Sequence, residues 1–238
     1  MNDPTYWQLI GFGEYGWGDD ILWGVLLTIS LALATLPGGL VVGLLMALGK
    51  RSNDQALRLA ANIYTTIFRG LPELLTLFLV YFGAQRLINA VTGLADLPAI
   101  TVSSFQAGVI TLGLVFSAFA SEVFLSAFRA IPHGQWEGGM ALGLSRSRIM
   151  LLVILPQLIR IALPGLANLW QNLLKDTALV SVIGLTDILR QTQIAARVTR
   201  EPFLFFGLAC VLYLALTMIS SIGINGIDRW TKRGGVAK

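Results

Sequence analysis

The stretch SEVFLSAFRAIPHGQWEGGMALGLSRSRIMLLVILP, Ser121 to Pro156, decides how this chain is read. Apolar sequence runs into it from Phe105 and resumes after Arg148. Between the two lies a short polar, Gly-rich segment that opens on Pro132-His133-Gly134-Gln135. Two membrane helices joined by a short exposed loop have this pattern. Pro132 and Gly134 are expected to end the first helix. One short helix, Gln135 to Leu142, is expected to lie across the end of the pair. Gly143 is expected to close it with a left-handed cap, a conformation that suits a residue without Cβ.

The rest of the composition agrees with a membrane chain. Of 238 residues only 13% are charged, against about 25% in soluble domains, and the mean hydropathy is +0.72. A helical span needs about 20 apolar residues. Long apolar runs occupy Ile21–Leu48, Phe105–Phe128, Ile149–Leu169 and Pro202–Ile227. A fifth, Leu57–Gly83, is interrupted by Arg69 and Glu73. The expectation is an all-α membrane protein of about five spans. A single transmembrane domain would cover residues 21–230, after an N-terminal segment 1–20 and before a tail 231–238. Alternating apolar and polar positions of a barrel strand are absent. Residues Ala84 to Ser104 read as a short loop. Pro72 is expected to kink or start a helix, and Pro156 and Pro164 to bend the fourth span.

Charge sets the orientation. Lys50, Arg51 and Arg58 follow the first span, Arg129, Arg146 and Arg148 the third, and Arg229, Lys232, Arg233 and Lys238 the fifth. With five spans these fall on one side, which the positive-inside tendency makes cytoplasmic. The N-terminal segment, with Asp3, Glu14, Asp19 and Asp20 and no Lys or Arg, is then outside. It lacks the basic start and short apolar core of a cleaved signal peptide.

Ionisable side chains within apolar sequence are the candidate site residues. Each costs at least about 2.5 kcal/mol to insert and is usually paired or lines a polar cavity. Arg69 and Glu73 lie four apart and could neutralise each other. Ala118, Glu122, Ser126 and Arg129 recur at helical spacing and share a stripe with Ser117 and Ser121 nearby. Glu122 has no basic neighbour within a turn of its own helix. Lys175-Asp176-Thr177 breaks another apolar pattern. The following Ala178–Leu189 is too short to span and reads as a short surface or re-entrant helix, with Asp176 or Thr177 as its cap. Glu73, Glu122 and Asp176, with Arg69 and Ser126, are the expected substrate-binding set. Three carboxylates in a medium of low dielectric favour a cation.

Other chemistry has no residues to carry it. No Gly-x-x-x-x-Gly-Lys-Ser/Thr loop for nucleotide phosphate occurs. The lone His133 and Cys210 supply neither a catalytic set nor a metal cluster. No internal inverted repeat of a secondary carrier is evident. Basic character here reports membrane topology rather than nucleic-acid binding.

The loop also resembles a known pattern. Glu137, Gly143 and Leu155-Pro156 stand at the spacing of the "EAA" loop in membrane subunits of binding-protein-dependent ABC importers. Gly138 and Gly139 replace its two alanines and Val153 its Ile, and each Gly weakens a short helix by about 1 kcal/mol. The Arg69-Gly70-x-Pro72 element, ILPQLIRIALPGLAN and LKDTALVSVIGLTDI resemble permeases for basic amino acids and opines. The resemblance covers roughly Leu57 to Asp228. It implies a MetI-like fold in a bacterial inner membrane. A second permease (a sister chain or a second copy), two cytoplasmic ATPase subunits that use the ATP, a periplasmic binding protein and an amino-acid substrate are its implied partners, besides membrane lipid. This chain would bind no cofactor itself. Coupling to the ATPase would fall to Gln135, Glu137, Gly138, Gly139, Ala141, Gly143 and Arg146. The alternative, from the polar stripe alone, is a self-associating channel or stand-alone carrier.

Overall fold

A computed structural model describes residues 5–13, 16–94 and 101–233. Asp3, Glu14, Asp96 and Lys238, which entered the charge and loop readings, lie outside the described residues. Among the described residues the structure is helical without strands. In chain order the helices are α1 (Tyr6–Ile10), α2 (Gly18–Lys50), α3 (Gln55–Gly70), α4 (Glu73–Leu94), α5 (Ser104–Ala130), α6 (Gly134–Ala141), α7 (Arg146–Ile149), α8 (Leu155–Asp176), α9 (Ile188–Thr199) and α10 (Pro202–Arg233). A π turn, Met150–Ile154, joins α7 to α8, and a 3₁₀ segment, Thr177–Ile183, follows α8.

Four stretches among the described residues are long and apolar enough to cross a membrane: Gly18–Lys50, Ser104–Ala130, Arg146–Ile183 and Pro202–Ile224. The fifth expected span is different. Gln55–Gly70 and Glu73–Ala90 form a pair bent by 110°. The break falls at Leu71-Pro72, where the ring of Pro72 denies the backbone an amide donor. The loop expected at Ala84–Ser104 is shorter than read, because α4 continues to Leu94. Gly93, Asp96, Pro98 and Thr101 break the apolar periodicity there, but the first of them is held within the helix.

Other expectations meet the structure closely. The loop helix occupies Gly134–Ala141, one residue from the range read. Gly143 has φ of 74°. Its amide reaches the Met140 carbonyl at 2.9 Å and the Leu144 amide reaches that of Gly139 at 3.1 Å, the paired bonds of a Schellman cap. The fourth span carries the π turn just before Pro156. Proline cannot bond back to residue 152, and a π turn is one way a helix absorbs such a break. The short helix expected over Ala178–Leu189 is instead the 3₁₀ segment, ended by Gly184 at φ 91°. Asp176 makes no capping bond there, and Thr177 donates to the Leu174 carbonyl at 2.7 Å. Asp187, not singled out from sequence, is the true cap of α9, accepting from the Arg190 amide at 2.9 Å.

The chain forms two compact units by its internal contacts. The first draws on the chain up to Pro37, Leu71–Gly113 and Asn172–Met218. Its core holds Leu9, Ile21, Ala195, Ala196 and Phe205. Gly24 lets α2 lie on the backbone of Asp187, where a Cβ would stand 2.9 Å from the carbonyl oxygen. The second unit draws on Gly38–Gly70, Leu114–Gln171 and the chain from Ile219. There Gly43 brings α2 against Ala120 and Ser117 of α5, as small residues allow between membrane helices. Tyr64 of α3 bonds Ser117 at 2.7 Å.

Candidate functional site

In the first unit, Pro72 ends the break and Glu73 begins α4. Asp176 is the last residue of α8. The two carboxyl groups lie close enough for the charge of Glu73 to bear on Asp176. Lys175 beside them is exposed, and its charge bears on Asp176. Two of the expected substrate residues, 103 positions apart by their numbers (176 − 73), are thus brought together. Both are partly buried. The pair is a ready acceptor for an ammonium or guanidinium group, which would offset the repulsion between two neighbouring carboxylates.

In the second unit, two expectations are corrected. Glu122 is not unpaired. Its Oε1 accepts from Lys50 Nζ and from Arg69 Nη1, the latter at 2.9 Å. Arg69 does not pair with Glu73, because it ends α3 and Glu73 starts α4 across the 110° bend. The i,i+4 reasoning assumed one continuous helix. Arg69 also lies over the Phe119 ring, 5.6 Å from its centroid. The polar stripe on α5 resolves into separate roles. Ser117 and Ser121 are buried and donate to Leu114 and Ala118 carbonyls of their own helix, each at 2.8 Å. Ser126 is exposed. Lys50 was missed as the partner of Glu122; its only sequence signal was its place as the first cation after a long apolar run.

The second unit also carries the loop helix. Every residue of α6 is exposed or half-exposed except Gly139. Gly139 faces Ile149, whose Cγ1 would stand 2.7 Å from any added Cβ, whereas nothing lies within 4 Å of Gly138. The two replacements for alanine therefore differ. Gly139 is required by packing and Gly138 is not. Glu137 meets His133 at 3.0 Å, and both side chains are well exposed. Gln135 accepts from Gln157 Nε2 at 3.2 Å, and the same nitrogen donates to the Val153 carbonyl at 2.9 Å. This ties α6 to the π turn, a connection the sequence did not signal. A cavity of about 690 Å³ beside α6 is bounded by Arg51, His133, Trp136, Met140, Arg146 and Met150 among others. Of the residues expected to couple, Gln135, Glu137, Gly138, Gly139 and Ala141 lie on α6, Gly143 caps it, and Arg146 opens α7 and lines the cavity. Leu142, just beyond, is 82% exposed. A helix so bared, with Trp136, Met140 and Leu142 along it, is a knob suited to a socket in another protein.

Among the described residues no group of His, Cys, Asp and Glu could hold a metal ion.

Comparison with known proteins gives consistent results. The model of the family described as binding-protein-dependent transport system inner membrane component matches residues 39–233. The chain is 40% identical over 230 residues to the octopine transport system permease protein OccQ of Rhizobium meliloti, covering 96% of this chain and 97% of that one. It is 39% identical over 220 residues to the histidine/lysine/arginine/ornithine transport system permease protein HisQ of Escherichia coli, covering 92% and 94%. Among solved structures it resembles a crystal structure of an amino acid ABC transporter with histidines. The TM-score is 0.75 at 30% identity, over 90% of this chain and 94% of that one.

Proposed function

Since this chain belongs to the family of binding-protein-dependent transport system inner membrane components, we propose that it is the permease subunit of an ABC importer for cationic amino acids or their opine derivatives. The names of the relatives support the substrate class: octopine for one, histidine, lysine, arginine and ornithine for the other. The Glu73–Asp176 pair supports it independently, as two neighbouring carboxyl groups that an organic cation would bridge. In this reading the chain sits in the bacterial inner membrane with its N-terminus outside. It works beside a second permease subunit and receives substrate from a periplasmic binding protein. ATP is bound and split by two cytoplasmic ATPase subunits, and this chain holds no cofactor.

The observation that carries the proposal is α6, exposed on all but Gly139 and fastened at its end by the Gly143 cap. A short rigid helix lodged in an ATPase groove would move when the ATPase closes. The cap and the Gln135–Gln157 bond would pass that movement to α8 as a body. Glu137→Lys reverses a charge on the exposed face without touching the packing of Gly139. Complexes carrying it should insert normally, lose their ATPase subunits on purification and fail to take up arginine or histidine in vesicles. Wild-type uptake by that variant, or wild-type uptake with no ATP inside the vesicle, would defeat the proposal.

A further inference from the structure

A second polar cavity lies in the second unit, with no residue of α6 in its lining. It has a volume of about 400 Å³ and is lined by Lys50, Arg51, Asn62, Glu122, Leu125 and Arg129. Lys50 stands in the last turn of α2 and Arg129 in the last turn of α5. Three cations and one carboxylate line it, and a fourth cation, Arg69, is already spent on that carboxylate. Lys50 and Arg69 both engage Oε1 of Glu122, so the negative charge present is committed before Arg51 and Arg129 are counted. Arg51 is held by its guanidinium carbon 4.2 Å above the Phe128 ring. A cation over a ring face keeps its N–H edges free to donate. The cavity is therefore positive, with forked donors beside the apolar side chain of Leu125.

We propose that this cavity binds a phosphate group, and that anionic phospholipid of the cytoplasmic leaflet supplies it. Guanidinium forks match phosphate oxygens in pairs. The ends of two spans put the cavity where headgroups lie, and basic pockets between membrane helices on that side take anionic headgroups. The placement rests on the orientation adopted under the proposed function. Arg51 also borders the cavity beside α6, so a bound headgroup would fix one wall of the coupling region.

The test uses the complex as purified with its ATPase subunits, delipidated in mild detergent. It is titrated with phosphatidylglycerol, phosphatidylcholine or inorganic phosphate, and bound lipid is counted by native mass spectrometry. Phosphatidylglycerol should bind more tightly than phosphatidylcholine. Arg129→Gln and Arg51→Gln should each lower that affinity about fivefold, the effect of one cation near a charged lipid surface. Arg197→Gln, which removes an equal charge from the exposed face of α9, should leave it unchanged. Displacement of the lipid by inorganic phosphate would identify phosphate from solution as an alternative source for the same site. Equal binding of the two lipids, or equal loss in all three variants, would overturn the proposal. So would protection of the cavity that needs the ATPase subunits but no lipid. Loss of the ATPase subunits from the preparation would count against the function reading, whereas lipid binding would count only here.

Discussion

Lys50 donates its ammonium to Oε1 of Glu122, a residue 72 positions further along the chain, and Arg69 donates to the same atom. The Lys50 side chain is only 7% exposed and that of Glu122 34%. Glu122 thus serves first as the counter-ion of two cations, in a chain segment where the isolated sequence suggested a vacant charge.

Removal of that counter-ion should show as instability. Glu122→Gln leaves Lys50 nearly buried without a carboxylate. The cost should be about 1 to 2 kcal/mol, less than for a fully buried pair because Glu122 meets solvent. Thermal melting of the purified complex measures it. Adding Lys50→Met should recover part of the loss, since the two changes share one interaction. Arginine uptake per folded complex should stay close to wild type. A tenfold fall in uptake at unchanged melting temperature would return Glu122 to the substrate pathway.

Glu73→Gln and Asp176→Asn should each weaken cationic substrate binding by about tenfold, equivalent to about 1.4 kcal/mol. The two effects should not add, because the two carboxyls would hold one cation between them. Radiolabelled arginine and histidine uptake in vesicles, fitted for KM, checks this. Additive losses would mean that the two groups meet the substrate separately.

The glycines of α6 give opposite expectations. Gly138→Ala enters open space and should strengthen the helix by about 1 kcal/mol. Gly139→Ala drives a methyl into Ile149 and should tilt α6 and loosen the ATPase. Co-purification of ATPase with each variant distinguishes them.

Asp187 gives the pH dependence. It is buried between the α9 cap and the Tyr213 hydroxyl, which donates to Oδ2 at 3.2 Å. Burial raises its pKa from 3.8 to about 6. The folded form therefore holds its proton over a range where the unfolded chain has lost it. That contribution is complete below about pH 4 and is lost as pH rises through about 6. The apparent melting temperature should fall between those values. Asp187→Asn keeps a capping side chain and should flatten the slope. An unchanged slope would place the titrating group elsewhere.

Orientation is open to direct labelling. With Cys210 replaced, a cysteine at Asp20 should react with an impermeant thiol reagent in whole cells. One at Asp54, in the turn between α2 and α3, should react only after permeabilisation. The opposite pattern would reverse the side assigned to α6.

What could be read from sequence was what neighbouring residues determine. Pro72 broke a helix, Gly143 took a left-handed conformation, and α6 fell within one residue of its expected place, because each depends on a few adjacent backbone angles. Apolar runs located the spans for the same reason. The partners of Glu122 were hidden because they come from α2 and α3, and helical periodicity says nothing about which neighbour a stripe will meet. Asp176 and Glu73 were named separately, each for its cost in apolar sequence. Their meeting was not legible. Asp187 was passed over because a capping acid followed by Ile188-Leu189-Arg190 looks like any polar interruption until the helix is seen to start there.

The π turn at Met150–Ile154 has a consequence for insertion and deletion. An α-helix with one residue added must either turn everything beyond it by about 100° or bulge. Here the bulge confines the extra residue to a single turn, so α7 and α8 keep their own faces. Removing one residue of Leu151–Val153 would restore a plain helix with Gln157 still turned toward Gln135, without the widened turn that lies between α7 and α8. The chain is therefore one residue longer than continuity alone requires, and the widened turn takes up that residue without changing the azimuth at which α8 meets the loop helix.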